Sequence, residues 1–166
     1  MMITVGQGLS WLWLLIGALY LVRKLIPGFF WRTAVGYQGH HDYEMAEKYL
    51  LKTLAIERWI ERMTGSGVGV AHVAGSLGFL YHHQRRCDDA AGMFGVALDK
   101  FAIAGRTAAR APILAATGQL YLDIGNYELA ENHLRQAWAW YEQQPDHHQE
   151  RQTIQAMLDL IASKQQ

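Results

Sequence analysis

One pattern of small and large side chains occurs twice in this chain, and it constrains the fold more than any other feature. Each copy has a glycine, a tyrosine, an alanine, a large apolar residue and a second alanine at identical spacing. The first copy is Gly78, Tyr81, Ala90, Phe94 and Ala97, and the second is Gly118, Tyr121, Ala130, Leu134 and Ala137. Such self-similarity is typical of stacked helical pairs, in which small residues let two helices approach closely and large ones fill the space around them. The sequence therefore predicts an all-α stack.

The pattern resembles the tetratricopeptide repeat (TPR) family. In that family one helix carries a Leu-Gly and an aromatic residue, and the next carries a small residue, a large apolar one and another alanine. A weaker third copy begins at Asp42-Tyr43 and has its anchor alanine at Ala46. The anchors Ala46, Ala90 and Ala130 lie 44 and 40 residues apart, which is longer than the family's common period of about 34. The resemblance implies about three helix pairs within residues 27–145, at about 31–63, 68–105 and 108–143. Pro112 is expected in the first turn of its helix.

Residues 146–166 are predicted to form one further helix that caps the stack. Ile154, Met157, Leu158 and Ile161 recur with the spacing of one helix face, and Asp146 and Gln149 have the spacing of a capping box. The remaining positions are mostly polar. A helix with one polar side covers the last repeat and leaves a soluble outer surface.

The N-terminal segment, residues 1–26, is predicted to be a membrane anchor. No side chain from Met1 to Val22 is charged, and Ile3 to Val22 would span roughly 30 Å as a helix. A cleaved signal peptide and a buried core helix are the alternatives. The basic residues Arg23 and Lys24 follow the apolar run rather than precede it, which favours a single transmembrane helix.

The same charges predict the orientation of this anchor. By the positive-inside rule, Arg23 and Lys24 place the N-terminus outside and the repeats in the cytoplasm. The aromatic residues Trp11, Trp13 and Tyr20 would lie at the membrane interface or against a partner. The expected localisation is therefore a single-pass membrane protein.

Charge and motif content argue against nucleic-acid binding and catalysis. The 15 basic and 15 acidic residues balance, so nothing predicts a nucleic-acid surface. No nucleophile, base and orienting group occur together, so we expect neither an enzyme nor a cofactor. Six of the eight histidines form the adjacent pairs His40-His41, His82-His83 and His147-His148. They are expected to be solvated turn residues rather than metal ligands, although a metal site between pairs is the alternative.

The TPR resemblance implies a groove for a partner. In that family, ligand peptides lie along the first helix of each pair, on the face away from the packing residues. The corresponding residues here are Trp31, Gln38, His72, Phe79, His83, Gln119 and Asp123. Chaperone-binding members hold a terminal carboxylate with Lys and Asn on this face, but no such set is present here.

Together these features predict a membrane-tethered interaction module. Its expected role is that of an adaptor or assembly factor for a membrane protein complex. Its expected partners are other proteins, in particular membrane proteins or their cytoplasmic segments. The alternative is a stoichiometric accessory subunit held in a larger complex by its Trp-rich helix.

Overall fold

The computed structural model of the chain describes residues 42–165, which form six α-helices joined by short turns. The all-helical, repeat-like architecture predicted from the recurring pattern is confirmed. The helices are α1 (Tyr43–Thr64), α2 (Val68–His83), α3 (Cys87–Ile103), α4 (Thr107–Asp123), α5 (Tyr127–Tyr141) and α6 (His148–Lys164).

The helices divide between two compact units, which meet in the sequence between Thr64 and Gly65. The first unit contributes α1, whose buried residues recur with helical spacing. They are Ala46, Leu50, Thr53, Leu54 and Ile60. The second unit contains α2 to α6, in which α2 packs on α3, α3 on α4, α4 on α5 and α5 on α6. This serial packing gives the second unit a solenoid-like order.

The recurring glycines lie against a side chain of the neighbouring helix in the second unit. A Cβ atom added at Gly78 would lie 2.5 Å from Cδ1 of Phe94, and one added at Gly118 would lie 2.5 Å from Cγ of Leu134. Phe94 and Leu134 are themselves fully buried. The glycines therefore make room for the large residue of the same repeat, as the spacing predicts.

Three of the four joints of the second unit, residues 84–86, 104–106 and 124–126, share one geometry. The middle residue of each joint has a positive φ: 61° at Arg85, 64° at Gly105 and 78° at Gly125. The N–H of the third residue donates to a carbonyl five positions earlier, as from Asn126 to Tyr121. A residue with left-handed φ, followed by a residue whose N–H donates to the carbonyl five positions earlier, is a common end of an α-helix.

The predicted transmembrane helix is not supported, and the fold class is corrected accordingly. Between residues 42 and 165, no helix is both long and apolar enough to cross a membrane. The longest, α1, has 22 residues but carries charged side chains throughout, whereas the apolar α2 has only 16. The localisation derived from that helix, a single-pass protein with cytoplasmic repeats, is likewise corrected. The residues on which it rested, Trp11, Trp13, Tyr20, Arg23 and Lys24, lie outside the described part of the chain.

Two predicted local features, the position of Pro112 in its helix and the cap of the last helix, differ from the structure. Helix α4 begins at Thr107, so Pro112 lies inside the helix rather than in its first turn. The shared geometry of the joints sets this start, because α4 follows directly after the residue that closes the turn. Helix α6 begins at His148 with His147 as the N-cap, and Nδ1 of His147 lies 3.0 Å from Oε1 of Glu150. The predicted capping box of Asp146 and Gln149 is therefore wrong.

Candidate functional site

Helices α2, α4 and α6 together carry the candidate site. Helix α4 contacts both α2 and α6, so it lies between them within the second unit. Each of the three begins a repeat or stands where a further repeat would begin. We refer to their common surface as the α2–α4–α6 face.

The residues predicted for the groove fall on two of these helices. His72, Phe79 and His83 lie on α2, and Gln119 and Asp123 lie on α4. Gln119 is half-buried, and the others are exposed: His72, Phe79, His83 and Asp123. Trp31 and Gln38, which were also predicted for the groove, lie outside the described residues.

Phe79 and His72 are partly supported by aromatic rings of α3. The ring of Phe79 meets the ring of Phe94 edge-on at 5.2 Å and remains 39% exposed. The ring of His72 meets that of Phe101 at 4.9 Å. Burial and then the nearby Arg106 lower the pKa of His72 from its ordinary value of 6.5, so the imidazole at this position is neutral at neutral pH. Both residues therefore present uncharged rings to the surface.

Asp123 is the centre of a polar cluster that joins α2 to α4. Nε2 of His82 lies 2.9 Å from Oδ2 of Asp123, and Nε2 of Gln119 donates to Oδ1 at 2.7 Å. The guanidinium of the exposed Arg85 lies 3.8 Å from the same Oδ2. The predicted site residues Gln119 and Asp123 are thus brought together, and Asp123 is already occupied by neighbours within the chain.

His82 is the member of this cluster that the sequence reasoning missed. It was expected to be a solvated turn residue, but it lies in the last turn of α2 with only 19% of its side chain exposed. The two strong repeats are 40 residues apart, so the position equivalent to His82 in the next repeat is 122, which is adjacent to Asp123. Stacked repeats bring equivalent positions side by side, so the contact between His82 and Asp123 could have been predicted from this spacing.

Helices α4 and α6 border two adjoining pockets, of about 340 Å³ and about 500 Å³. Both pockets share Thr153 and Met157 of α6. The α4 side is lined by Pro112, Ala115, Gln119 and Leu122. Glu150 at one edge is the only charged residue that lines them in the described chain. The lining combines apolar side chains with amides and a hydroxyl, which is chemistry suited to a peptide rather than to an ion.

Arg151 holds the α6 side of this groove in place. Its Nη1 donates to the carbonyl of Tyr141 at 3.3 Å and also to the carbonyl of Gln144. Its Nη2 donates to the carbonyl of Pro145 at 3.4 Å. The carbonyls of Tyr141 and Gln144 also accept from the backbone N–H groups of Gln144 and His147, at 3.0 and 3.4 Å, so the guanidinium is a second donor to each of them. The guanidinium therefore fixes the joint from which α6 starts.

The groups that could support metal or thiol chemistry are dispersed. Among residues 42–165, no three His, Cys, Asp or Glu side chains are grouped so that they could hold a metal ion. Cys87 begins α3, is half-buried, and its Sγ lies 3.6 Å from the carbonyl oxygen of Arg85. It occupies the position at which Tyr43 begins α1 and Tyr127 begins α5.

Comparison with known proteins identifies the fold but no family. No protein-family model matches this chain, and no curated protein matches its sequence. Among solved structures, the crystal structure of BtubC (BKLC) from P. vanneervenii is similar, with a TM-score of 0.74 and 17% sequence identity. The match covers 89% of this chain but only 62% of the BtubC chain, so less than two thirds of that structure is represented here. At this identity the similarity concerns the fold alone.

Proposed function

We propose that this chain is a protein–protein interaction module of the TPR type, which acts as an adaptor or assembly factor. The observation that carries the proposal is the groove between α4 and α6, whose lining is mainly apolar and amide side chains and includes Gln119, one of the residues implied by the TPR resemblance. The close glycine contacts of Gly78 and Gly118 support the TPR assignment, because the family places a small residue at this point of the first helix.

The partner proposed for the groove is a peptide segment with apolar side chains and little charge. Phe79 and Leu160 are 39% and 46% exposed, and large side chains of this kind commonly anchor a bound partner. Gln152 and Thr153 line the same groove and offer hydrogen bonds to a peptide backbone. Asp123 contributes less in this proposal, since His82 and Gln119 already occupy its carboxylate.

The test is a quantitative comparison of the proteins that co-purify with the tagged full-length chain from the cells that make it. The groove variant is Phe79→Ala with Leu160→Glu, which removes one exposed ring of α2 and adds a second carboxylate beside Glu150 to the groove lining. The control variant is Ile103→Glu, because Ile103 is 83% exposed at the end of α3 and does not line the groove. We expect a partner that is retained by the wild type and the control but lost by the groove variant.

Two other outcomes have clear meanings. An unchanged set of partners with the groove variant, in a protein that still melts like the wild type, would refute the groove as the binding site. Partners present at a fixed ratio, and unaffected by either variant, would indicate a stoichiometric accessory subunit instead.

A further inference from the structure

The exposed side of α1, in the first unit, carries a second candidate surface. Three large apolar side chains on it are partly open to solvent: Leu51 is 45% exposed, Trp59 44% and Met63 63%. Four exposed basic residues accompany them, and we call the seven together the basic–aromatic face. The basic residues are Lys48, Lys52, Arg58 and Arg62.

The positive charge of this face is not neutralised within the described chain. Among residues 42–165, no carboxylate forms an ion pair with any of its four basic residues. The ammonium of Lys52 lies 5.4 Å from the ring centre of Tyr49, and Nε of Arg62 donates to the carbonyl of Arg58 at 3.4 Å. Glu47, Glu57 and Glu61 of the same helix are half-buried, and Glu44 in its first turn is the one exposed carboxylate of α1. The exposed side of α1 therefore carries four basic residues against one acidic residue.

We propose that the basic–aromatic face binds an acidic amphipathic helix of another protein. Trp, Met and Arg are the residue types enriched in the centres of protein interfaces, and this face presents all three. Its four cations call for carboxylates on the partner, and its apolar side chains call for a row of apolar residues between them. A second copy of this chain does not fit, because two such faces would oppose like charges.

The arrangement of charges favours a protein over a lipid surface. Leu51 and Arg62 lie about three turns apart and so point in nearly the same direction, as do Lys48 and Trp59. The cations are therefore interleaved with the apolar side chains. A helix that enters a bilayer interface keeps its apolar residues on one side and its cations on the other. A protein partner can match an interleaved pattern residue by residue.

The test uses the full-length chain and a defined peptide. The probe is a fluorescently labelled helical peptide of about three heptads of Leu and Glu, and its control replaces every Glu with Lys. Binding is measured by fluorescence anisotropy at low ionic strength and again at physiological ionic strength. We expect the Glu peptide to bind, the Lys peptide not to bind, and the affinity to fall as salt screens the charges.

Variants locate the binding on the chain. Lys52→Glu with Arg62→Glu should weaken binding of the Glu peptide by about tenfold or more, and Trp59→Ala by roughly fivefold. The matched control is Arg135→Glu with Lys164→Glu, which makes the same change in net charge on exposed residues of α5 and α6. This control should bind like the wild type, as should the groove variant Phe79→Ala with Leu160→Glu.

Specific results would overturn the proposal. One is that the wild-type chain does not bind the Glu peptide. A second is that the α1 variant and its charge-matched control lose the same affinity for the Glu peptide. A third is that the chain binds only to phosphatidylcholine vesicles that contain phosphatidylserine. Because Trp59→Ala changes no charge, it keeps the test valid if the double reversal fails to fold. The basic–aromatic face does not depend on the groove, so either proposal can fail while the other stands.

Discussion

Adding one methyl group at different glycines should have opposite effects on stability, depending on what surrounds each position. At Gly118 the new Cβ would lie 2.5 Å from Cγ of Leu134 and 3.2 Å from the carbonyl oxygen of Ala130. Leu134 is completely buried, and the second neighbour is backbone. Neither can move aside without disturbing the contact between α4 and α5.

The matched control is Gly95, which lies inside α3 and has nothing within 4 Å of an added Cβ. Replacing a helical glycine with alanine gains about 1 kcal/mol of helix propensity when no clash results. At Gly118 the same gain is set against an overpacking cost of about 1–3 kcal/mol. Gly95→Ala should therefore stabilise the protein by about 1 kcal/mol, and Gly118→Ala should destabilise it by up to about 2 kcal/mol.

Two further glycines extend the series. Gly78→Ala should behave like Gly118→Ala, because its Cβ would lie within 3.0 Å of three ring carbons of the buried Phe94. Gly75→Ala should be milder, since the nearest atom, at 2.9 Å, is the terminal Cδ1 of Ile113, which can shift more easily.

The assay is urea and thermal unfolding of the full-length variants, followed by circular dichroism. A difference of about 1 kcal/mol corresponds to roughly 4–8 °C in melting temperature for a unit of this size. A Gly118→Ala variant as stable as Gly95→Ala would refute the packing argument, and with it the role given to the recurring glycines.

Three further predictions concern the joints, the histidines and the end of α5. Arg85→Gly should raise the free energy of unfolding by about 1 kcal/mol, because a non-glycine residue is strained at a φ of 61°, whereas Gly105 and Gly125 adopt the equivalent positive φ without strain. A free energy of unfolding no higher than that of the wild type, measured by urea denaturation, would contradict this. His72 and His133 have pKa values lowered from 6.5, first by burial and then by Arg106 and Arg110 respectively. As the pH falls, these two histidines bind protons in the unfolded chain before they do so in the folded protein, so the free energy of unfolding should be highest above about pH 7 and should fall as the pH drops through 6.5. The variant His72→Gln with His133→Gln should lose part of this pH dependence in urea titrations across the same range. A free energy of unfolding that depends on pH as in the wild type would contradict the role given to these histidines. Arg151→Met keeps the apolar stem but removes the side-chain hydrogen bonds to the carbonyls of Tyr141, Gln144 and Pro145, which should cost about 1–2 kcal/mol and increase hydrogen exchange in α6. Exchange equal to that of the wild type would contradict it.

The parts of the fold that depend on residue size and spacing were predictable from the sequence. Gly118 and Leu134 recur at the same separation as Gly78 and Phe94, and close packing leaves few ways to satisfy such a pattern. The start of α6 was not predictable from spacing alone. Asp146 and Gln149 have the separation of a capping box, but the helix instead starts after His147, whose imidazole contacts Glu150.

The candidate site was predictable in outline but not in its contacts. The TPR resemblance named residues on α2 and α4, and of those in the described helices Gln119 lines the groove between α4 and α6. The sequence did not identify Thr153 or Met157 as groove residues, because the last helix was interpreted as a cap on the stack and not as one wall of a groove. The surface on the exposed side of α1 was also not predicted, because composition does not show which side chains of a helix are covered by packing and which remain exposed.

The joints of the second unit have a consequence for how this architecture changes in length. Helix α6 packs on α5 as α4 packs on α3, so it takes the position where a further repeat would start. Nothing in the geometry shared by the first three joints limits the number of repeats, because each of these joints closes with bonds local to itself. In the described chain the last helix is α6, whose exposed residues are mostly polar. Duplicating one 40-residue repeat ahead of α6 would therefore lengthen the groove while leaving both of its existing ends intact.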